Sequence, residues 1–378
     1  MEGITGVNLE LTEDQALFRD TTKRFIEGEV PLAEVRRLHA SGDGFDRRWW
    51  RQAAQLGWTA MLAPEDLGGG SLSGHPLADA AIVAEEMGRV LTPGPFLPVN
   101  VVAAALAADV AHRDTLASLV AGETVATWAL GEPGSRWCGH ELTTTADVVD
   151  GQVVVSGVKS YVEALTAAEE VLVVARTGGR LTQVLVPTDA AGVTVIPGTS
   201  LDLGRRFGQL QLDGVRLPQS AVVGELGGAD GTVERQLEIA LVLQCAETVG
   251  GLDQVFEFTL GYMGDRYAFG RPISSYQALK HRVADLLLEL ETAKGCVDAA
   301  VASVNAGRAD AAVEASVAKA YVGDRALHVI QECMQFHGGI AVTWEHDLHL
   351  YLRRATVNRA VFGTPEQHRE RICSLVEI

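Results

Sequence analysis

A single carboxylate lies inside an otherwise apolar helical stretch, LVLQCAETVGG, at residues 241 to 251. This residue is Glu247. Apolar surroundings disfavour the charged form of a carboxylate and raise its pKa, which suits a general base that works near neutral pH. A second interpretation is a buried glutamate that pairs with an arginine or lysine at a subunit interface. The sequence leaves both interpretations open.

A second set of residues has the chemistry of a diphosphate site. We call it the diphosphate set, and its members are Arg266, Phe269, Gln277, Gln335, Gly338 and Gly339. The arginine offers a planar cationic fork that matches phosphate oxygens, and the phenylalanine adds a flat apolar face. The glutamines donate and accept hydrogen bonds, and the glycine pair lets backbone amides approach an anion closely. The alternative is that RPISS (271 to 275) only ends one helix and caps the next.

The composition excludes several classes of protein. The chain has 378 residues, 47% of them hydrophobic and 21% charged, which predicts a globular protein of two or three domains. Its formal charge of −18 argues against a nucleic-acid binder, because phosphate neutralisation needs a basic surface. Five cysteines without a CxxC pair favour reduced thiols and a cytoplasmic location. We expect neither a signal peptide nor a membrane span, and the histidines show no spacing typical of a metal site.

The hydrophobic pattern divides the chain into three parts. Helical periodicity marks residues 1–120, where Thr12 to Gln15 form a capping box. Short β-branched runs fill 121–225, and Asp150-Gly151 between two of them indicates a hairpin. Long helical segments return in 226–378 and indicate a bundle. We therefore predict a multidomain α+β protein with a helical N-terminal domain, a small β-barrel or sandwich, and a C-terminal four-helix bundle.

Five segments spread along the chain carry a family resemblance. They are PEDLGGGSLSG (64–74), GEPGSRWCGHELTTTADVVDGQVVVSGVKSYV (131–162), LDGVRLP (212–218), RYAFGRPISSYQALKHRVADL (266–286) and QFHGGIAVTWEHDLHLYLRRA (335–355). In this order and spacing they resemble the acyl-CoA dehydrogenase family. The resemblance implies the same three-domain fold and an enzyme that uses FAD to oxidise an acyl-CoA to the trans-2-enoyl-CoA. A glutamate removes the α-proton, and the β-hydrogen leaves as hydride to the flavin.

The resemblance also implies that each FAD is shared between two subunits. One subunit's β-domain and cleft hold the isoalloxazine ring, while the neighbour's bundle holds the adenine-diphosphate part. The diphosphate set matches the residues that serve the neighbour's FAD. The family's usual electron acceptor is an electron-transferring flavoprotein.

Residues on the isoalloxazine side depart from the family's pattern. Gly131 replaces a threonine, Trp137 replaces a hydroxyl residue, and Tyr161-Val162-Glu163 stands where the family has Trp-Ile-Thr. Tyr161 can still stack on a ring, but an ionised Glu163 only accepts hydrogen bonds. Its charge beside the flavin would disfavour the anionic reduced ring.

The position of the base departs as well, since Phe362 precedes Gly-Thr where the family has its glutamate. A minority of relatives place the glutamate on the first bundle helix, where this chain has Ala240, followed by Leu241 in place of an arginine. Loss of the glutamate and the arginine from this bundle helix is expected to widen the cleft. Thr364 remains as a candidate cofactor contact. Glu247 lies about two turns, or 10 Å, beyond Ala240 on nearly the same helix face and is the candidate base within this chain.

This pattern of retained and lost residues favours one subunit of a hetero-oligomeric acyl-CoA dehydrogenase, in which a paralogous chain carries the catalytic glutamate. Some actinobacterial members that act on bulky substrates such as sterol side chains resemble this arrangement. The alternatives are a self-sufficient homo-oligomer that uses Glu247 as its base and a flavin-free binding or scaffold protein. A flavin monooxygenase or nitroalkane oxidase is conceivable on the same fold, because a fold does not determine function.

Overall fold

The N-terminal part of the chain is helical. The computed structural model describes residues 11–41, 44–134 and 142–377, so Trp137 and Cys138 lie outside the described residues. The helices of this part are α1 (Glu13–Glu29), α2 (Leu32–Ser41), α3 (Arg47–Gln55), α4 (Pro76–Arg89), α5 (Phe96–Leu106) and α6 (Arg113–Val120). The predicted capping box begins α1: Thr12 and Gln15 exchange side-chain and backbone hydrogen bonds of 3.2 Å.

The middle part is a mixed sheet. Its strands are β1 (Ala126–Ala129), β2 (Thr145–Val149), β3 (Gln152–Glu163), β4 (Glu170–Thr177), β5 (Arg180–Pro187), β6 (Val193–Pro197), β7 (Phe207–Pro218) and β8 (Val222–Val223). They follow the order β6-β7-β3-β2-β4-β5-β8, and β1 pairs in parallel with β4. The predicted hairpin connects β2 to β3, with positive φ at both Asp150 and Gly151. Alternate strand residues such as Val153 and Val155 pack into the core of the sheet.

The C-terminal part is a helical bundle. It consists of α7 (Asp230–Asp265), α8 (Gln277–Asn305), α9 (Ala311–His337), α10 (Leu348–Ala360) and α11 (Pro365–Leu375). A short hairpin of β9 (Tyr267–Ala268) and β10 (Arg271–Pro272) connects α7 to α8. Buried residues of α8 recur every three or four positions, as in Leu286, Leu290 and Ala293, which gives this helix one apolar seam. The predicted three-part fold is confirmed.

Helix α7 lies at the centre of the molecule. Among the described helices, α7 alone is long and apolar enough to cross a membrane by length and composition, but 89% of its most apolar window is buried within the protein. Helix α4 packs against it at glycines. A Cβ atom at Gly88 would lie 1.9 Å from the carbonyl oxygen of Glu247, and one at Gly250 would lie 1.9 Å from that of Glu85. The close approach of these two helices fixes the part of α7 that carries Glu247.

Candidate functional site

Glu247 lies in a buried ion-pair arrangement rather than in an open pocket. Only 6% of its surface is exposed. One carboxylate oxygen accepts a hydrogen bond of 2.6 Å from Nη2 of Arg205, and the other accepts one of 2.5 Å from Nη1 of Arg354. Asn358 donates a further hydrogen bond to the first oxygen at 3.1 Å. Each carboxylate oxygen of Glu247 therefore accepts a hydrogen bond from a guanidinium, and one of them also accepts from an amide.

Two more carboxylates complete this arrangement, which we call the charge cluster: Glu163, Asp202, Arg205, Glu247 and Arg354. Asp202 pairs with Arg354 and accepts a hydrogen bond of 2.7 Å from the backbone nitrogen of Gly204. Although burial opposes it, Arg354 holds the pKa of Asp202 below its usual range. Glu163 lies 3.3 Å from Nε of Arg205. Burial raises the pKa of Glu163, and within the described part of the chain its Oε2 accepts no hydrogen bond.

The role of Glu247 as a general base stays a prediction, and its surroundings resemble the alternative of a paired buried glutamate. The structure differs from that alternative in one respect, because both arginine partners belong to the same chain. A base must present a free lone pair to the substrate. Here proton abstraction by Glu247 requires that at least one guanidinium first move away.

The residues predicted for the isoalloxazine side come together around one small space between the sheet and the bundle, which we call the cleft. Gly131, Tyr161, Glu163 and Phe362 line it together with Trp128, and the cavity that remains is about 10 Å³. A neighbouring cavity beside Glu163 and Glu247 is about 20 Å³. Sites for drug-sized ligands measure about 300–1,000 Å³. The expectation of a widened cleft is therefore wrong.

Aromatic packing is the physical reason that the cleft is closed. The rings of Trp128 and Phe362 have centroids 5.9 Å apart, and their planes are inclined by 33°. Both side chains are buried, with 5% and 8% of their surfaces exposed. The described residues of the cleft do not fit an isoalloxazine ring in this arrangement. Sequence reasoning missed Trp128, whose only signal is an aromatic residue in a β-strand pattern.

The backbone around Phe362 is firmly held. Phe362 has a φ of +63°, in the left-handed region that bulky residues rarely adopt. The ring of His368 contacts the carbonyl oxygen of Phe362 at 2.8 Å, and Lys319 donates a hydrogen bond of 2.8 Å to the carbonyl oxygen of Val361. Burial lowers the pKa of His368 to about 4 and that of Lys319 to about 7. Thr364 begins α11, where its hydroxyl accepts from the backbone of the third helical residue.

The diphosphate set lies at one end of the bundle and is exposed. Tyr262, one turn before Arg266, stacks on His337 with ring centroids 4.4 Å apart, so the end of α7 lies against the end of α9. Gln335, Gly338 and Gly339 line an open pocket of about 460 Å³ at this end. The pocket also includes apolar side chains of α9 and α10.

Phe269 projects from the β9–β10 hairpin. It is 98% exposed and has a φ of +52°, with Gly270 next to it at +80°. A fully exposed aromatic ring on such a turn is unfavourable in an isolated chain. The ring loses the stabilisation that burial would give, and the positive φ strains the backbone. Arg266 and Gln277 are also exposed beside the hairpin. The described residues at this end fit the anionic and aromatic parts of a dinucleotide.

Comparison with known proteins shows the family to which the chain belongs. Residues 12–123 match the family model for the acyl-CoA dehydrogenase N-terminal domain, and residues 230–375 match the one for its C-terminal domain. The chain belongs to the acyl-CoA dehydrogenase family. It is 32% identical to acyl-CoA dehydrogenase IpdE2 of Mycobacterium tuberculosis and 30% identical to IpdE2 of Mycolicibacterium smegmatis. Each match covers 96% of this chain and 98% of the relative.

Among solved structures, the chain is similar to one in the ChsE4-ChsE5 complex from Mycobacterium tuberculosis. The TM-score is 0.86 at 26% identity, over 97% of this chain and 98% of the other. The acyl-CoA dehydrogenase family is a family of flavoproteins, and its members are oxidoreductases that act on acyl-CoA thioesters. As a member of this family, the chain is assigned to acyl-CoA dehydrogenation, the class expected from the sequence.

Proposed function

We propose that this chain is one subunit of a hetero-oligomeric, FAD-dependent acyl-CoA dehydrogenase that forms a trans-2-enoyl-CoA. A paralogous acyl-CoA dehydrogenase subunit supplies the carboxylate base and the open cleft. This chain lends its bundle end to the FAD of that subunit. The observation that carries the proposal is the contrast between a cleft closed by Trp128 and Phe362 and an exposed diphosphate set.

The residues of this chain would act on the cofactor by binding and orientation. FAD, when bound, supplies the acceptor for the substrate's β-hydride. Arg266 would pair with the diphosphate, since a guanidinium fork matches two phosphate oxygens. Phe269 would bury its exposed ring against the cofactor or the partner. At the open pocket, Gln335 and the glycine pair would form hydrogen bonds with the polar groups of the cofactor. No proton transfer is assigned to this chain.

Two further features accompany this proposal. An electron-transferring flavoprotein is the acceptor we propose for the reduced flavin. We also propose a cytoplasmic location, which agrees with the four described cysteines, all of them free thiols: Cys245, Cys296, Cys333 and Cys373. The two-component ChsE4-ChsE5 complex supports an assembly of paralogous chains.

Flavin content tests the proposal. The chain is purified alone and after co-expression with a paralogous acyl-CoA dehydrogenase of its genome, and flavin is measured per chain. We expect a colourless lone chain and about half a flavin per chain in the complex, since only one of two clefts is open. A lone chain with a full flavin that an acyl-CoA bleaches without oxygen contradicts the proposal and makes Glu247→Gln the next variant. Absence of flavin from every complex would favour the scaffold alternative.

A further inference from the structure

The charge cluster connects separate parts of the fold. Glu163, Asp202 and Arg205 belong to the sheet domain, whereas Glu247 lies on α7 and Arg354 on α10. Each guanidinium spans the boundary. Arg354 pairs with Asp202 on one side and Glu247 on the other, and Arg205 pairs with Glu163 and Glu247. The sheet domain and the bundle are therefore joined by ion pairs that no ligand mediates.

We infer that the charge cluster is a lock that holds the sheet domain on the bundle and keeps this chain's own cleft closed without a flavin. The inference rests on the proposed function, since it says what occupies the cleft that the chain does not use. All five side chains of the cluster are buried, with between 3% and 7% of their surfaces exposed. A buried pair that loses one partner leaves an uncompensated charge, so such a lock opens only at high cost.

The closed cleft and the charge cluster lie next to each other. Glu163 lines both the 10 Å³ cavity beside Phe362 and the 20 Å³ cavity beside Glu247. A planar ring that entered the cleft would have to displace Phe362 from Trp128 and also move Glu163 away from Arg205. Opening the cleft thus breaks an aromatic contact and an ion pair together. Neither change is needed when the ring lies in the cleft of another subunit.

Charge balance also favours a structural role over an empty anion site. Two arginines face three carboxylates in the cluster, so neither guanidinium is left for a phosphate or a thioester oxygen. The side chain of Asn358 also accepts a hydrogen bond of 2.9 Å from Nη1 of Arg205. The nitrogens of both guanidiniums are therefore engaged by described residues of this chain.

Hydrogen exchange on the full chain in its native oligomer tests the lock. Exchange is measured by mass spectrometry in the FAD-loaded protein and after the flavin has been removed. We expect segments 126–130 and 361–363 to exchange alike in both states, because the cleft is closed in both. Slower exchange of these segments on FAD binding by about tenfold or more would overturn the inference.

Segments 266–272 and 335–342 report separately on the proposed function. We expect FAD to slow their exchange, because they form the end that is lent to the cofactor. If FAD leaves them unchanged while the cleft segments also stay unchanged, the lock is supported and the lending role is rejected. The two ideas therefore fail independently.

A matched pair of variants tests the cluster itself. Glu247→Gln keeps the size of the side chain and removes its charge, and we expect about tenfold faster exchange in segments 126–130 and 202–206 of the flavin-free protein. Glu257→Gln is the control, since Glu257 lies on the same helix but is 57% exposed. Exchange in Glu247→Gln equal to that of the control would contradict the lock. If Glu247→Gln does not fold, the comparison of the loaded and unloaded natural protein still decides.

Discussion

Phe362 and Trp128 lie with ring centroids 5.9 Å apart, one on the loop before α11 and the other on β1. Phe362 also has a matched counterpart, because Phe269 shares its positive φ but is 98% exposed. We expect Phe362→Ala to lower the free energy of unfolding by about 3–5 kcal/mol, since it leaves a cavity between sheet and bundle. Phe269→Ala should change it by less than about 0.5 kcal/mol in the unassembled chain. Urea unfolding of both variants measures the difference, and equal losses would show that the contact with Trp128 does not stabilise the chain.

In the assembled enzyme, by contrast, we expect Phe269→Ala to weaken the binding of FAD. Loss of an exposed aromatic ring that becomes buried against FAD or the partner should weaken FAD binding by about tenfold, or 1.4 kcal/mol. The measurement is a titration of the flavin-free complex with FAD, followed by flavin fluorescence. Leu288→Ala is the control, because Leu288 is an apolar residue of α8 that is 68% exposed and lies outside the diphosphate set. Equal affinity in the two variants would remove Phe269 from the cofactor site.

Arg354→Met should destabilise the chain strongly. The substitution keeps much of the side-chain volume but leaves Asp202 and Glu247 without their shared guanidinium. Breaking a buried pair in this way costs about 3–5 kcal/mol. Arg282→Met is the control: Arg282 pairs with Glu332 but is 45% exposed, and surface pairs contribute about 0–1 kcal/mol. Chemical unfolding of both variants tests the contrast, and a similar loss in the two would show that the buried pairs do not stabilise the fold.

Glu163→Gln should change how stability depends on pH. The pKa of Glu163 is raised above its ordinary value of 4.5 by burial, aided by Glu247 and Asp202 and opposed by Arg205 and Arg354. The folded state therefore keeps a proton that the unfolded chain loses, so this group's contribution is fully present below pH 4.5 and is lost as pH rises through the raised pKa.

Glutamine cannot lose that proton. Relative to the natural protein, Glu163→Gln should therefore gain stability as pH increases from about 5 to 8. Asp202→Asn gives the opposite comparison, because the pKa of Asp202 is lowered and its contribution is lost as pH falls. Thermal unfolding measures both, between pH 5 and 8 for Glu163→Gln and below the ordinary Asp pKa of 3.8 for Asp202→Asn. A Glu163→Gln difference that stays constant with pH would show that Glu163 is ionised throughout.

Gly88→Ala should separate α4 from α7. The new Cβ would meet the carbonyl oxygen of Glu247 at 1.9 Å, so the helices must move apart. Overpacking of this kind costs about 1–3 kcal/mol. Gly261→Ala on α7 is the control, since no atom lies within 4 Å of the added Cβ, and alanine should stabilise an open helical site by about 0.5–1 kcal/mol. Opposite signs in a denaturant titration are the expected result, and a gain in both variants would contradict the close crossing.

The sequence by itself determined the features that depend on neighbouring residues. The capping box at Thr12, the hairpin at Asp150-Gly151 and the periods of the strands and long helices follow from local geometry. The five segments that resemble the family are local as well. They were sufficient to predict the three-part fold and the class of reaction. The pattern of the family that they indicate also showed that Phe362, outside these segments, stands where a base is usual.

Only the tertiary structure decided what surrounds Glu247 and what fills the cleft. A lone glutamate in an apolar helix looks the same in sequence whether it faces a substrate or an arginine. Its partners Arg205 and Arg354 are 42 and 107 residues away along the chain, and Trp128 is likewise remote from Phe362. Ion pairing and aromatic packing depend on distances of a few ångströms between such remote residues. Those distances arise only when the sheet domain is placed on the bundle.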